Sequence, residues 1–149
     1  MINTRLIMPS ILLLSILALS ACNKPATNEG IIKISADLSP NSEIHPVVSD
    51  ADGEVEVTVD KSNNKLTWEI EYEDLTGSVT DAHFHGPALA GEKADVALQI
   101  DGDLSNPIKG EATLTTAQIA DLLAGKWYVN LHTGANPDGE IRAQLTPKS

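Results

Sequence analysis

Leu66-Thr67-Trp68-Glu69-Ile70-Glu71-Tyr72-Glu73 sets a large apolar residue at every second position, with polar or acidic residues between. Side chains of an extended chain alternate between two faces, so this stretch is a strand with one buried and one wet face. The same period of two runs outward along the chain. Val55, Val57 and Val59 alternate with Glu54, Glu56, Thr58 and Asp60. Val96, Leu98 and Ile100 alternate with Asp95, Ala97 and Gln99, and Ile141, Ala143 and Leu145 with Glu140, Arg142 and Gln144. Turn-forming clusters punctuate them: Ser62-Asn63-Asn64, His85-Gly86-Pro87, Asp101-Gly102-Asp103 and Asn136-Pro137-Asp138-Gly139. Half-wet strands joined by regular turns predict an all-β domain, an antiparallel β-sandwich of immunoglobulin-like or similar kind.

One segment departs from this period. Thr115-Thr116-Ala117-Gln118 has capping-box spacing, and Ile119, Leu122 and Leu123 then share a helical face. This predicts one short helix between Thr116 and Ala124 that crosses between sheets, closed by Gly125 in a left-handed conformation. A strand, Trp127 to Thr133, follows.

The N-terminal part is of another kind. Arg5 precedes an apolar stretch from Leu6 to Ala21, too short for a span of about 20 residues. With Leu19-Ser20-Ala21-Cys22 it reads as a signal peptide (1–21) ending at a lipobox, in which Cys22 is acylated and becomes the new N-terminus. Cys22 is the one cysteine of the chain, and lipidation accounts for it. Residues 22–30 then form the acylated cysteine and a flexible tether, and 31–149 the β domain. Asn23 stands where aspartate would favour inner-membrane retention, so the expected place is the bacterial cell envelope, and the outer membrane in a diderm host.

After Cys22 there are 21 acidic and 9 basic residues (10 minus Arg5), a formal charge of 9 − 21 = −12. Such a surface repels nucleic acid, whose binding depends on basic groups displacing counterions. It also disfavours docking on anionic headgroups, so the acyl anchor is the expected membrane link.

Alternation assigns faces to the histidines. His83 and His85 point together, away from Phe84; Tyr128, Asn130 and His132 point outward, opposite Val129 and Leu131. Were the two strands neighbours, His83, His85 and His132 would converge as a copper or zinc site. A structural polar network, with His85 serving the Gly86-Pro87 turn and His132 pinning the next loop, is weighted above metal. His45 reads as a surface residue, and Glu140 with Arg142 as an i, i+2 ion pair that fixes register. Asp50-Ala51-Asp52-Gly53-Glu54 lacks the later ligand positions of a calcium loop and reads as a turn.

Two stretches carry a family resemblance. His83-Phe84-His85-Gly86-Pro87-Ala88 with Gly91, and the run from Leu123 through His132 and Asn136-Pro137-Asp138-Gly139-Glu140-Ile141-Arg142 to Gln144, resemble the CHRD domain, named after chordin and common in bacterial secreted proteins. Members often carry glycine where this chain has Ala143. The resemblance covers roughly residues 31–146 and implies a β-sandwich-like extracellular module without a set activity. Gly86, Pro87, Asn130, Pro137, Gly139, Glu140 and Arg142 belong to the motif as structural positions. No nucleophile constellation, phosphate loop or nucleotide fingerprint is present. The expected function is a non-enzymatic, membrane-anchored binding or adhesion module with an envelope or extracellular ligand. The alternative is a histidine-based copper or zinc binding protein.

Overall fold

The computed structural model describes residues 30–148. The signal peptide, Cys22 and residues 23–29 of the tether lie outside the described residues. Eight strands form two four-stranded antiparallel sheets. They are β1 Ile31–Leu38, β2 Asp52–Asp60, β3 Lys65–Glu73, β4 Val79–His85, β5 Val96–Gln99, β6 Ile108–Thr113, β7 Trp127–Thr133 and β8 Ile141–Leu145. One sheet has the order β1-β2-β3-β6 and the other β5-β4-β7-β8. The expected all-β sandwich is what the chain adopts.

The period of two works as read in β2 and β3. Val55, Val57 and Val59 face inward opposite Ile70, Trp68 and Leu66. The second sheet brings Ala82, Phe84, Val129, Leu131, Ile141, Ala143 and Leu145 to the same core. Trp68 of one sheet meets Phe84 of the other edge to face, with ring centroids 5.4 Å apart. At about 25 cal/mol per Å² of apolar surface buried, this shared core is the main force holding together a domain without a disulfide.

The helix α1, Thr116–Leu123, joins β6 of the first sheet to β7 of the second. Its Thr115 side chain accepts from the Gln118 backbone while the Gln118 side chain accepts from the Thr115 backbone, so the capping box forms as expected. Gly125 sits at φ +73°, where a glycine ends a helix at least cost. Gln118 Nε2 also donates to the Ala97 carbonyl at 3.2 Å, tying the helix to β5.

Two features depart from the simple pattern. A register shift between Phe84 and His85 pairs Phe84 with Leu98 but His85 with Val96, skipping Ala97. Val96 therefore leaves the inward series of Leu98 and Ile100 and is half exposed on the outer face. On β7 every residue is buried, although its sequence alternates. Outward-facing Tyr128, Asn130 and His132 are covered by connecting segments, among them the loop after β1, with Glu43 and His45, and the loop between β7 and β8. The face expected to be wet is a roofed one.

Candidate functional site

The antiparallel pairing of β4 with β7 sets His83 opposite Asn130 and Asp81 opposite His132. Because β4 and β7 are neighbours, His83, His85 and His132 do converge: one ring nitrogen from each lies within 4.8 Å of the others. The nearest two are His83 Nδ1 and His132 Nε2, at 3.1 Å. The ring of His83 meets those of His85 and His132 edge to face.

What stands behind each ring decides its tautomer. His132 Nδ1 donates to the Pro137 carbonyl at 2.9 Å. His85 Nδ1 donates to the Ala94 carbonyl at 3.0 Å. His83 Nε2 faces Asp81 Oδ1 at 3.2 Å, and Gln99 Nε2 steadies that oxygen at 2.6 Å. Carbonyls and carboxylates only accept, so each of these nitrogens carries the proton. The other nitrogen of each ring, His83 Nδ1, His85 Nε2 and His132 Nε2, then turns a lone pair inward. Lone pairs facing one another repel unless a proton or a metal ion sits between them. Burial holds the His83 and His85 imidazoles below their usual range, and the neighbouring rings push the same way, against weaker support from Asp81 and the hydrogen bonds. The arrangement suits a metal ion. His132 pins the β7–β8 loop as expected, whereas His85 serves Ala94 rather than the Gly86-Pro87 turn. Gly86 has a different reason: a Cβ there would run into the Trp127 ring.

Asn130 lies at the centre, 4 % exposed. Its Oδ1 is 3.1 Å from His85 Nε2 and 3.1 Å from His132 Nε2, while its Nδ2 donates to Glu43 Oε1 at 3.5 Å. The Glu43 side chain is 2 % exposed, and burial pushes its carboxyl above the usual carboxylate range, against lowering by His45 and Asn130. His45 corrects the surface reading: its Nε2 bonds the Gly139 carbonyl at 3.2 Å, and it lines the same cavity of about 360 Å³ as the three histidines. Neither Glu43 nor His45 has a local signal in the sequence, since the long β1–β2 connection alone brings them here.

Glu140 and Arg142 do not pair. The Glu140 carboxylate, 0 % exposed, accepts from Ser49 Oγ at 2.6 Å, Thr76 N at 2.9 Å, Thr76 Oγ1 at 2.7 Å and Thr133 Oγ1 at 2.6 Å. Burial alone would raise its pKa, but these donors outweigh it and lower the group to about 2. Arg142, 2 % exposed, lays its guanidinium over the Tyr128 ring at 3.5 Å and donates through Nη2 to the Glu92 carbonyl at 2.9 Å. His85 stacks on the same ring at 4.7 Å with 4° between the planes. Because β4 and β8 flank β7 on opposite sides, Tyr128 is clamped between imidazole and guanidinium. The expected ion pair fails because each partner has better company: four donors for the carboxylate, an aromatic face for the cation.

Among known families, the model of the CHRD domain matches residues 34–145. No curated protein and no solved structure matches the chain.

Proposed function

The chain belongs to the CHRD domain family, and we propose that it is an extracytoplasmic binding module that holds one copper or zinc ion on His83, His85 and His132. Family membership supports a secreted or extracellular module. The observation that carries the metal reading is the convergence of one nitrogen from each ring within 4.8 Å of the others, with Asp81, the Ala94 carbonyl and the Pro137 carbonyl as acceptors behind the rings. Metal-ligating histidines use such partners to fix tautomer and orientation. This reverses the weighting drawn from sequence, in which a structural network stood first. Without a metal ion, the 3.1 Å contact between His83 Nδ1 and His132 Nε2 needs a proton of its own. The reading is of binding rather than catalysis, because Glu140 and Asp81 are committed to fixed hydrogen bonds. The lipobox supports attachment through acylated Cys22 to the envelope, with partners reached from that surface.

The test is calorimetric titration of copper(II) and zinc(II) into the chain purified without a polyhistidine tag. One ion per chain is expected. His83→Ala and His132→Ala should each abolish tight binding with circular dichroism unchanged. Absence of binding in the wild type, together with melting temperatures lowered by both substitutions, would assign the histidines to a structural network instead.

A further inference from the structure

The three histidines account for only part of what converges on that point. Resting on the metal reading above, we propose that the Asn130 side-chain oxygen is a fourth donor atom, completing an N3O set, and that Glu43 is the positioning residue that keeps this oxygen turned inward.

The spacing argues first. Around a tetrahedral ion with donors at about 2.0–2.1 Å, neighbouring donors stand about 3.3 Å apart. Asn130 Oδ1 is 3.1 Å from both His85 Nε2 and His132 Nε2, the same separation as between His83 Nδ1 and His132 Nε2. Four donor atoms are therefore linked by three edges of coordination-sphere length before any ion is added.

The orientation of the amide argues next. Across each ring the other nitrogen donates to a carbonyl, so a neutral His85 or His132 turns a lone pair toward Oδ1. An oxygen set against two lone pairs is repelled; with a cation between them, all three attract it. The opposite orientation would take Nδ2 away from Glu43 Oε1, the acceptor it meets at 3.5 Å. Glu43 thus selects the orientation with Nδ2 outward and Oδ1 inward.

Gly139 makes that selection sterically feasible. At φ +120° it has a backbone that L side chains rarely adopt, and a Cβ there would meet Glu43 Oε1 and stand 2.8 Å from Asn130 Nδ2. The Asn136-Pro137-Asp138-Gly139 loop serves the site twice. The Pro137 carbonyl fixes His132, and the bare Gly139 lets the Glu43 carboxylate reach the amide. A fourth protein ligand closes the coordination sphere, the arrangement of sites that hold an ion rather than activate a water.

Cobalt(II) alone, added to the tag-free chain, reports coordination number through the intensity of its visible bands. Wild type and Asn130→Asp should both show the intense four-coordinate pattern, with tighter binding for the aspartate. Asn130→Ala should shift to the weak pattern of higher coordination as waters enter, and lose affinity on the order of tenfold or more. Glu43→Gln, which leaves every donor in place, should weaken cobalt by about tenfold, while Glu43→Asp restores part of the loss. Wild-type cobalt binding with band and affinity unchanged in Asn130→Ala would overturn the proposal and leave the three-histidine reading standing. Should Asn130→Ala fail to fold, the aspartate variant decides, and affinity no tighter than wild type overturns the fourth ligand. If the wild type takes up no metal at all, the underlying reading fails, and this inference with it.

Discussion

A carboxylate buried without a cation beside it survives as an anion only if enough hydrogen-bond donors surround it. Glu140 meets this condition with donors from two loops and a strand: Ser49 after β1, Thr76 between β3 and β4, and Thr133 at the end of β7. Its folded pKa, about 2 against an ordinary 4.5, makes the native state the weaker proton binder. Stability from this group is fully present above pH 4.5 and is lost as pH falls from there toward 2, roughly 3 kcal/mol in all. Glu140→Gln should lower stability at neutral pH by about 1–3 kcal/mol and flatten the acid limb of the unfolding curve. Urea titrations from pH 7 to pH 2 check this, and parallel acid limbs in the two proteins would refute it. The sequence brought Glu140 and Arg142 into view through their shared strand face. It could not show the true partners, because residues 49, 76 and 133 come together only through tertiary closure. The same holds for Glu43 and His45, whereas His83, His85 and His132 were legible from alternation alone, their spacing fixing which face each ring takes.

At the level of elements, legibility followed the strength of local signals. The strands β2, β3 and β8 alternate strictly and sit where their periodicity puts them. The sequence Ile31-Ile32-Lys33-Ile34-Ser35-Ala36-Asp37-Leu38 alternates less cleanly, and β1 is set by its pairing with β2. The bulge that turns Val96 outward has no sequence mark of its own, being an accommodation between β4 and β5. Nor does alternation in β7 say that loops will roof its polar face. The helix, in contrast, announces itself by its cap. Thr115→Ala removes a hydroxyl that accepts from Gln118 N at 3.2 Å and donates to Gln118 Oε1 at 3.0 Å, while the backbone half of the box stays. The expected cost is about 1 kcal/mol, read as a lower denaturant midpoint with unchanged slope. A midpoint equal to the wild type would mean that packing of Ile119 and Leu122 alone sets this helix.

On the scale of the whole molecule, charge and site lie on different sheets. The outer face of the first sheet sets Asp52 opposite Glu73, Glu54 opposite Glu71 and Glu56 opposite Glu69, an acidic surface relieved at Glu69 by Lys109 at 2.7 Å. Such a face is repelled by anionic headgroups. The histidine site faces out from the other sheet, under the segment that follows β1. Eight residues of β1 carry the chain about 27 Å from Ile31 toward that segment, and the nine positions from Cys22 to Gly30 add a reach of at most about 30 Å. The proposed anchor at Cys22 and the proposed metal site are therefore separable. Under the proposed acylation of Cys22, acyl chains at about 0.8 kcal/mol per buried CH₂ supply the attachment of the mature protein. Cys22→Ser should move the protein from the membrane to the soluble fraction while its zinc affinity stays within about twofold of the wild type, well inside the 1.4 kcal/mol of a tenfold change. Fractionation followed by titration measures both. A Cys22→Ser protein that still sediments with membranes would refute lipid anchoring at this residue. A released protein that has lost its zinc affinity would show that anchor and site are coupled after all.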